Sequence, residues 1–255
     1  MKLPMVTILT PTRNRPGFMR QCASYVARQT YPKDRLEWVI VDAGTDHFEL
    51  PQNPGIRIAV VQQQGPVGML RNMGVRISQG DLVVHFDDDD WHAPDRIERQ
   101  VAPFLVKSYL DLVCTDDYHI GLFDQTPVKA LRSWSWGLEL FSSGGTFMYR
   151  KKAWERHPFA NVMVGEDYEF AKHIRIRNNM AALNLRDPGL FACIRHGANT
   201  CDFDELVRAR ATEDGADWLK SVMGHIHFEQ VRHLAREQVE HFERPTDASG
   251  AKKTV

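Results

Sequence analysis

An apolar stretch that runs directly into four consecutive aspartates constrains this chain more than any other feature. The stretch starts at Gly80, continues through residues 82–86 and ends in Asp87, Asp88, Asp89 and Asp90. Its apolar and β-branched residues predict a buried strand. Buried strands are typical of parallel sheets, and ligands bind outside the carboxyl ends of such strands. Four carboxylates at that end repel one another unless a cation neutralises them, and a divalent metal ion prefers carboxylate oxygens.

Three other interpretations of the acidic run have less support. A charged run usually forms a solvated face, but this one follows an apolar strand and not a polar helix. In a calcium-binding helix-loop-helix, Asp87, Asp89 and Glu98 would supply ligands, but His92 stands where the loop needs a glycine for its turn. A phosphatase with an aspartyl nucleophile also uses an Asp-x-Asp at a strand end, and no second feature of the chain points to one.

Length and composition indicate a globular protein. The 255 residues suffice for one large core, so we expect one domain with two lobes. A hydrophobic content of 43% and a charged content of 25% are ordinary for such a domain. The formal net charge of −1 gives no reason to expect a nucleic acid or an anionic membrane as an obligatory partner.

Cysteine usage and hydropathy predict the compartment. The four cysteines, Cys22, Cys114, Cys193 and Cys201, are scattered without a C-x-x-C pair, which predicts reduced thiols in a cytosolic protein. No stretch approaches the ~20 apolar residues of a membrane span. The short apolar run at residues 5–9 predicts a first strand and not a secretion signal. We therefore expect a soluble, cytoplasmic protein, whose oligomeric state the sequence leaves open.

Alternating strand and helix patterns in the first half predict a mostly parallel sheet with helices on its faces. The predicted strands are residues 6–9, 36–41, 56–61, 80–86 and 110–115, and the predicted helices are 18–29, 94–107 and one within 65–78. Polar loops follow the first two strands and would form a crevice suited to a nucleotide. Neither G-x-G-x-x-G nor G-x-x-x-x-G-K-[ST] is present, so metal coordination of the phosphates is the expected substitute.

The second half carries weaker patterns. Residues 118–136 look irregular and contain Trp134 and Trp136, which are either core residues or a platform for an acceptor sugar. Small residues at 142–145 would let the backbone approach a ligand closely. Acidic residues near 166 predict the start of a helix, where the helix dipole alone would favour them. His196 follows a predicted strand at 189–194, residues 203–242 predict packing helices, and 244–255 predict a disordered tail.

Together these motifs resemble family 2 glycosyltransferases, which have the GT-A fold. The matching motifs cover most of residues 5–200: Thr10-Pro11-Thr12-Arg13-Asn14-Arg15, Val39-Ile40-Val41-Asp42, Arg71-Asn72-Met73-Gly74, Phe86 with the acidic run, Gly144-Gly145, Glu166-Asp167 and Arg195-His196-Gly197. The acidic residues alone are a weak signal, but their combination with the opening motif and a later Glu-Asp is specific. The resemblance implies an α/β, Rossmann-like fold with a mostly parallel central sheet flanked by helices, followed by C-terminal helices. It also implies a nucleotide-sugar-binding half at residues 1–116, an acceptor-binding half at 117–201, a helical extension at 202–243 and a tail at 244–255.

The resemblance also implies roles for particular residues. Asp89, Asp87 and His196 would hold Mn²⁺ or Mg²⁺ at the diphosphate of a nucleotide sugar, a UDP-sugar before others. The nucleoside would contact Thr10, Pro11, Arg13, Asp42, Arg71, Asp87 and Asp88. Asp167 would be the general base, and the acceptor would contact Trp134, Trp136, Gly145 and Glu166. One departure from the family pattern is Ala43, which follows Asp42 where a second acidic residue is common.

The implied activity is transfer of a sugar to an acceptor hydroxyl with inversion. A metal ion can absorb the charge of the departing nucleoside diphosphate, and a carboxylate can take the acceptor's proton. One alternative, a sugar-phosphate nucleotidyltransferase, would need a glycine-rich, lysine-bearing phosphate loop that residues 10–17 do not supply. A second alternative is a non-catalytic module that binds nucleotide sugars. The acceptor stays open between a polysaccharide, a lipid-linked glycan, a protein and a hydroxylated DNA base.

Overall fold

The computed structural model describes residues 2–50, 55–133, 143–177, 182–197, 199 and 205–243. Trp134, Trp136, Cys201 and the C-terminal tail lie outside these residues. In the described part of the chain, the strands are β1 (Val6–Thr12), β2 (Leu36–Asp42), β3 (Arg57–Gln62), β4 (Leu82–His85), β5 (Trp91–His92), β6 (Leu112–Cys114), β7 (His119–Leu122), β8 (Lys129–Arg132), β9 (Met148–Arg150), β10 (Ala182–Asn184) and β11 (Phe191–Arg195). The helices are α1 (Pro16–Ala27), α2 (Val67–Ile77), α3 (Arg96–Val106), α4 (Lys151–Arg156), α5 (Glu166–Arg177), α6 (Glu205–Arg210), α7 (Glu213–Met223) and α8 (His225–Glu243).

A seven-stranded sheet forms the centre of the molecule. Its strand order is β10-β6-β9-β4-β1-β2-β3. β9 runs antiparallel to both of its neighbours, and the other pairs are parallel. The predicted mostly parallel α/β sheet is therefore confirmed.

Successive side chains of each strand point to opposite faces of this sheet, and they form one hydrophobic core on each face. On β2, Trp38 and Ile40 pack with the inner residues of α1 and α3, whereas Val39 and Val41 pack on the other face with residues of α2 and α5. The whole of β2 is buried, as a strand covered on both faces must be. The edge strand β3 is only half-buried, with Val60 52% exposed.

A smaller sheet with the order β5-β11-β7-β8 packs beside the large one. Its core includes Trp91 and Ile194 and is covered by apolar residues of α7 and α8, such as Leu219 and Val231. Two of its strands, β7 and β8, lie in the stretch that the sequence predicted to be irregular, so that prediction was wrong. Each strand has only four residues, too few for a two-residue period to stand out.

The sequence analysis also made predictions about the C-terminal helices, the cysteines, membrane spans and the division of the chain. Helices follow residue 203 as predicted, and Cys22, Cys114 and Cys193 are buried. None of the described helices is long and apolar enough to cross a membrane. The division of the chain at residues 116, 201 and 243 stays a prediction.

Candidate active site

The candidate site lies where the order of the large sheet reverses. The chain passes from β1 to β2 and β3 on one side, and then returns to place β4 on the other side of β1. Such a switch point opens a crevice outside the carboxyl ends of the strands. Leu9 pairs with His85 in register, and Phe86 N donates to Leu9 O at 3.0 Å. The loop after β1 therefore meets the acidic run after β4.

Asp88 is enclosed by the loop that follows β1. Its side chain is 2% exposed and accepts hydrogen bonds from Thr12 Oγ1 at 2.6 Å and Arg15 Nη1 at 3.0 Å. Burial raises the pKa of Asp88 to about 6 against the opposing charge of Arg15. The crevice therefore stabilises this carboxyl group less well in its charged form than water does.

Asp89 collects three donors on a single oxygen. Its Oδ2 lies 2.7 Å from Arg15 Nη1, 3.1 Å from His196 Nε2 and 3.1 Å from Asn199 Nδ2. Burial works to raise the pKa of Asp89, but the charge of Arg15 and the hydrogen bond from His196 outweigh it and lower the pKa below its usual value. Asp89 is therefore the carboxylate of the run that its surroundings hold in the charged form.

Asp87 faces a different cation, Arg71 of α2. Arg71 Nη2 lies 3.1 Å from Asp87 Oδ1, and Arg71 Nε donates to Glu166 Oε1 at 3.1 Å. Burial alone would lower the pKa of Arg71, but the two carboxylates raise it above its usual value. Arg71 thus bridges the acidic run and the first residue of α5.

Asp90 ties the acidic run to the small sheet. Its Oδ1 accepts a hydrogen bond from the backbone N–H of Ile194 on β11 at 2.9 Å. Burial, followed by repulsion from Asp89, raises the pKa of Asp90 well above its usual range. A Cβ atom on Gly145 would lie 3.0 Å from Asp90 Oδ2, so the small residue there serves packing against this side chain.

Asp167 lies at the start of α5 and is tied back to β4 through Gly144. Its Oδ2 accepts from Gly144 N at 2.9 Å, and its Oδ1 accepts from Tyr168 N at 2.8 Å. On the other side of the same glycine, His85 Nδ1 donates to Gly144 O at 2.8 Å. A side chain at position 144 would collide with the Asp167 carboxylate, so glycine is needed for this approach.

The residues predicted to contact the nucleoside have surroundings that differ from one another. Thr10 Oγ1 accepts from the indole N–H of the core residue Trp38 at 2.9 Å, so its hydroxyl is occupied. Pro11 is half-buried and Arg13 is exposed. Asp42 ends β2, where its Oδ1 accepts from Gly44 N at 2.7 Å and its Oδ2 from Gln62 Nε2 at 2.9 Å.

The sequence analysis missed four contributors to the site. Thr12, Arg15 and Asp90 were inside motifs that it singled out, yet none was assigned a contact. The contact of Arg15 could have been predicted from the sequence. Buried carboxylates need a cation nearby, and Arg15 follows β1, the strand next to the one that leads into the acidic run. Asn199 gave no signal, since its contact with Asp89 depends on the turn after β11.

The oxygen and nitrogen atoms of Asp87, Asp89 and His196 are of the kinds that bind a divalent cation. Among the described residues no group of three or more His, Cys, Asp or Glu side chains forms a ready-made metal cage. Asp89 and His196 nevertheless bring a carboxylate oxygen and an imidazole nitrogen within 3.1 Å of each other. Asp87 Oδ1 is buried and has an ion-pair contact with Arg71 Nη2 at 3.1 Å but no hydrogen bond. One or two protein ligands, with the rest from phosphate oxygens and water, are the usual set for Mg²⁺ at a nucleotide.

Comparisons with known proteins agree with this architecture. Residues 7–163, more than half of the chain, match the family model described as glycosyl transferase family 2. Over 107 residues the chain is 30% identical to the EpsH protein of Bacillus subtilis, which covers 40% of this chain and 30% of EpsH. Over 108 residues it is 27% identical to the glycosyltransferase AglE of Haloferax volcanii, covering 39% of this chain and 35% of AglE. The chain thus spans about a third of the length of these two curated relatives.

Solved structures share the fold at low sequence identity. The mannosyltransferase PcManGT of Pyrobaculum calidifontis, solved with GDP-Man and Mn²⁺, has a TM-score of 0.59 and 17% identity, covering 98% of this chain and 77% of that one. Residues 1–349 of TarS from S. aureus, solved with UDP, have a TM-score of 0.54 and 18% identity, covering 74% of this chain and 60% of that one. The match of the family model to more than half of the chain shows that this chain belongs to glycosyl transferase family 2.

Proposed function

We propose that this protein is a glycosyltransferase that moves a sugar from a nucleoside diphosphate sugar to an acceptor hydroxyl, with inversion at the anomeric carbon. The observation that carries the proposal is that two carboxylates with different partners are both connected to β4. Asp89 follows β4, and Asp167 is tied to the same strand through Gly144 and His85. Such a transfer needs one group at the leaving diphosphate and another at the attacking hydroxyl.

On the donor side, Asp89 and His196, with Asp87, would hold Mn²⁺ or Mg²⁺. When bound, this ion supplies charge stabilisation to the departing nucleoside diphosphate. The nucleoside would lie along the ends of β1 and β2, against Thr10, Pro11, Arg13, Asp42, Arg71 and Asp88. The nucleotides named with the similar structures, UDP and GDP-Man, support a nucleotide-sugar donor, and we propose a UDP-sugar first.

On the acceptor side, Asp167 would take the proton of the attacking hydroxyl. The backbone N–H groups of Gly144 and Tyr168 fix the plane of its carboxylate, which leaves the remaining lone pairs for the substrate. A positioned carboxylate typically contributes ~10²–10⁴-fold to such a proton transfer. Glu166, bound to Arg71, and Gly145, packed on Asp90, would frame this side, together with Trp134 and Trp136.

The direct test is release of nucleoside diphosphate from a panel of UDP-, GDP- and dTDP-sugars, with Mn²⁺ or with a chelator, in the presence of saccharide acceptors. We expect release with at least one donor, dependent on the metal, and an inverted linkage in the product by proton NMR. Binding of a donor without release or transfer would indicate a binding module instead. Formation of a nucleotide sugar from a sugar phosphate would indicate a nucleotidyltransferase.

A further inference from the structure

Arg15 is the cation that lies between Asp88 and Asp89 in the acidic run. Its Nη1 lies 3.0 Å from Asp88 Oδ1 and 2.7 Å from Asp89 Oδ2, and its side chain is 14% exposed. Asp89 Oδ2 is the oxygen that also lies 3.1 Å from His196 Nε2. The guanidinium therefore lies against the carboxylate oxygen that would ligate a divalent cation together with His196.

The backbone presents Arg15 in a fixed direction. It lies directly before α1, which starts with Pro16 at a position that suits proline. The preceding residue, Asn14, has a positive φ of 52°, and its Oδ1 accepts from Thr45 N at 2.7 Å and Asp46 N at 3.2 Å. The turn before Arg15 is thus held to the loop after β2, and any change of partner by Arg15 is a change of its long side chain.

A guanidinium and a divalent cation cannot share Asp89 Oδ2. Both carry positive charge, and at contact distance their repulsion in a partly buried site is large. If Asp89 Oδ2 held a metal ion, Arg15 would have to leave that oxygen and would lose one of its two carboxylate partners, which is unfavourable for a guanidinium that is only 14% exposed. The anion that arrives together with the metal is the diphosphate, whose oxygens match the fork of arginine N–H donors.

We propose that Arg15 is a donor-site residue with two successive partners: the carboxylates of Asp88 and Asp89 before the donor binds, and the diphosphate of the donor once it is bound. This inference rests on the proposed function, because it needs a nucleotide and a divalent cation in the crevice. It has a thermodynamic consequence. Metal alone would remove the ion pair between Arg15 and Asp89, whereas metal with nucleotide would replace that pair by contacts to the diphosphate, so the two ligands bind with positive coupling.

The test is calorimetric titration of Mn²⁺ in the absence and presence of UDP, for the wild type and for Arg15→Gln. In the wild type we expect weak binding of Mn²⁺ alone and much tighter binding with UDP. In Arg15→Gln we expect binding of Mn²⁺ alone to tighten about tenfold, while the coupling between Mn²⁺ and UDP falls about tenfold, within the range usual for linked sites. Arg20→Gln is the matched control, since Arg20 is exposed on α1 and its loss removes the same charge without touching Asp89.

Arg15→Lys extends the test if the glutamine variant is too unstable to titrate. Lysine keeps the positive charge but lacks the paired N–H donors of the guanidinium. We therefore expect Mn²⁺ alone to bind as weakly as it does to the wild type, and UDP with Mn²⁺ to bind less tightly than it does to the wild type. Unchanged or weaker binding of Mn²⁺ alone in Arg15→Gln, with unchanged coupling, would overturn the role of Arg15 and leave the proposed function intact. No binding of Mn²⁺ to the wild type even with UDP or GDP would instead overturn the metal-assisted function itself.

Discussion

Asp89 and Asp90 are consecutive in the chain, but their side chains have different partners. Asp89 faces Arg15 and His196 in the crevice, whereas Asp90 accepts the backbone N–H of Ile194 at 2.9 Å. Asn can accept that backbone hydrogen bond as well as Asp does, but it cannot replace a negatively charged metal ligand. Of these two neighbouring aspartates, one is therefore a candidate metal ligand and the other anchors β11.

The matched pair Asp89→Asn and Asp90→Asn tests this difference. We expect Asp89→Asn to lower Mn²⁺-dependent affinity for UDP by about 10–100-fold, the usual effect of damage to a metal site. Asp90→Asn should leave that affinity close to the wild type, because its hydrogen bond to β11 is retained. Calorimetry measures both, and an equal loss in the two variants would refute the division of roles.

Asp167→Asn tests the proposed role of Asp167 as the base that takes the proton of the acceptor hydroxyl. Asparagine has the same shape and can keep one of the two backbone N–H bonds that Asp167 accepts, but it cannot take a proton from the acceptor. We expect transfer to fall by ~10²–10⁴-fold while the affinity for the donor stays unchanged. Transfer is followed as acceptor product and affinity by calorimetry. A parallel loss of donor affinity would place Asp167 on the donor side instead.

At the scale of elements, α2 positions the loop that leads to α5. The Asn72 side chain is buried and makes four hydrogen bonds: Nδ2 to Phe159 O at 2.8 Å and to Asn161 Oδ1 at 3.1 Å, and Oδ1 from Trp154 Nε1 at 2.8 Å and from Phe159 N at 2.9 Å. Gly68 N donates to Val162 O at 3.2 Å. The same helix carries Arg71, so one element connects this loop, Glu166 and Asp87.

Asn72→Ala should therefore loosen the start of α5 as well as destabilise the protein. It leaves the Trp154 and Phe159 N–H groups without their partner, which costs about 2–4 kcal/mol of unfolding free energy. We expect faster amide exchange over residues 159–167 and a drop in transfer rate larger than any change in donor affinity. The control Asn161→Ala removes one partly buried bond from an exposed residue and leaves Asn72 its other three bonds, so it should cost less than about 1 kcal/mol. Wild-type exchange over that segment in Asn72→Ala would contradict the role of α2.

The elements that the sequence predicted are those whose pattern is long enough to reveal a period. β1 and β2 have seven residues each and are buried, and α3 alternates apolar Ile97, Val101 and Phe104 with charged residues. β5 has two residues, and β7 and β8 have four each, so the small sheet left no readable signal. Such strands are defined by partners distant in sequence, which a local pattern does not contain.

At the scale of the whole molecule, the acidic run is also the junction of the two sheets. β4 of the large sheet leads into it, and β5 of the small sheet follows directly. From the sequence, the position of Asp87 to Asp89 at a strand end was predictable, because the apolar run marks the strand. The partners of each carboxylate were not predictable, since Arg15, Arg71 and His196 reach them from separate elements and only the packed molecule sets which cation meets which oxygen.

The contact between the small sheet and α7 predicts how the unfolding free energy of the protein changes at acidic pH. His119 of β7 is 4% exposed and its ring stacks on Trp218 of α7 with centroids 3.5 Å apart. Burial lowers the pKa of His119 to about 4, an effect that a hydrogen bond to the backbone of Pro188 and the charge of Asp117 oppose and Arg132 reinforces. Its unfolded value is about 6.5. Between these values the unfolded chain binds a proton that the folded chain excludes, so the unfolding free energy rises with pH across this window.

His119→Phe keeps the ring against Trp218 and removes the titration. Above about pH 6.5 we expect the variant to be somewhat less stable than the wild type, because the hydrogen bond to Pro188 is lost. As the pH falls towards 4, the wild type should lose on the order of 2 kcal/mol that the variant keeps, so the gap between them narrows or reverses. Urea unfolding at half-unit steps of pH measures both curves, with His233→Phe, an exposed residue of α8, as control. Parallel curves for wild type and His119→Phe over the whole window would show that His119 is protonated as readily in the folded protein as in the unfolded chain.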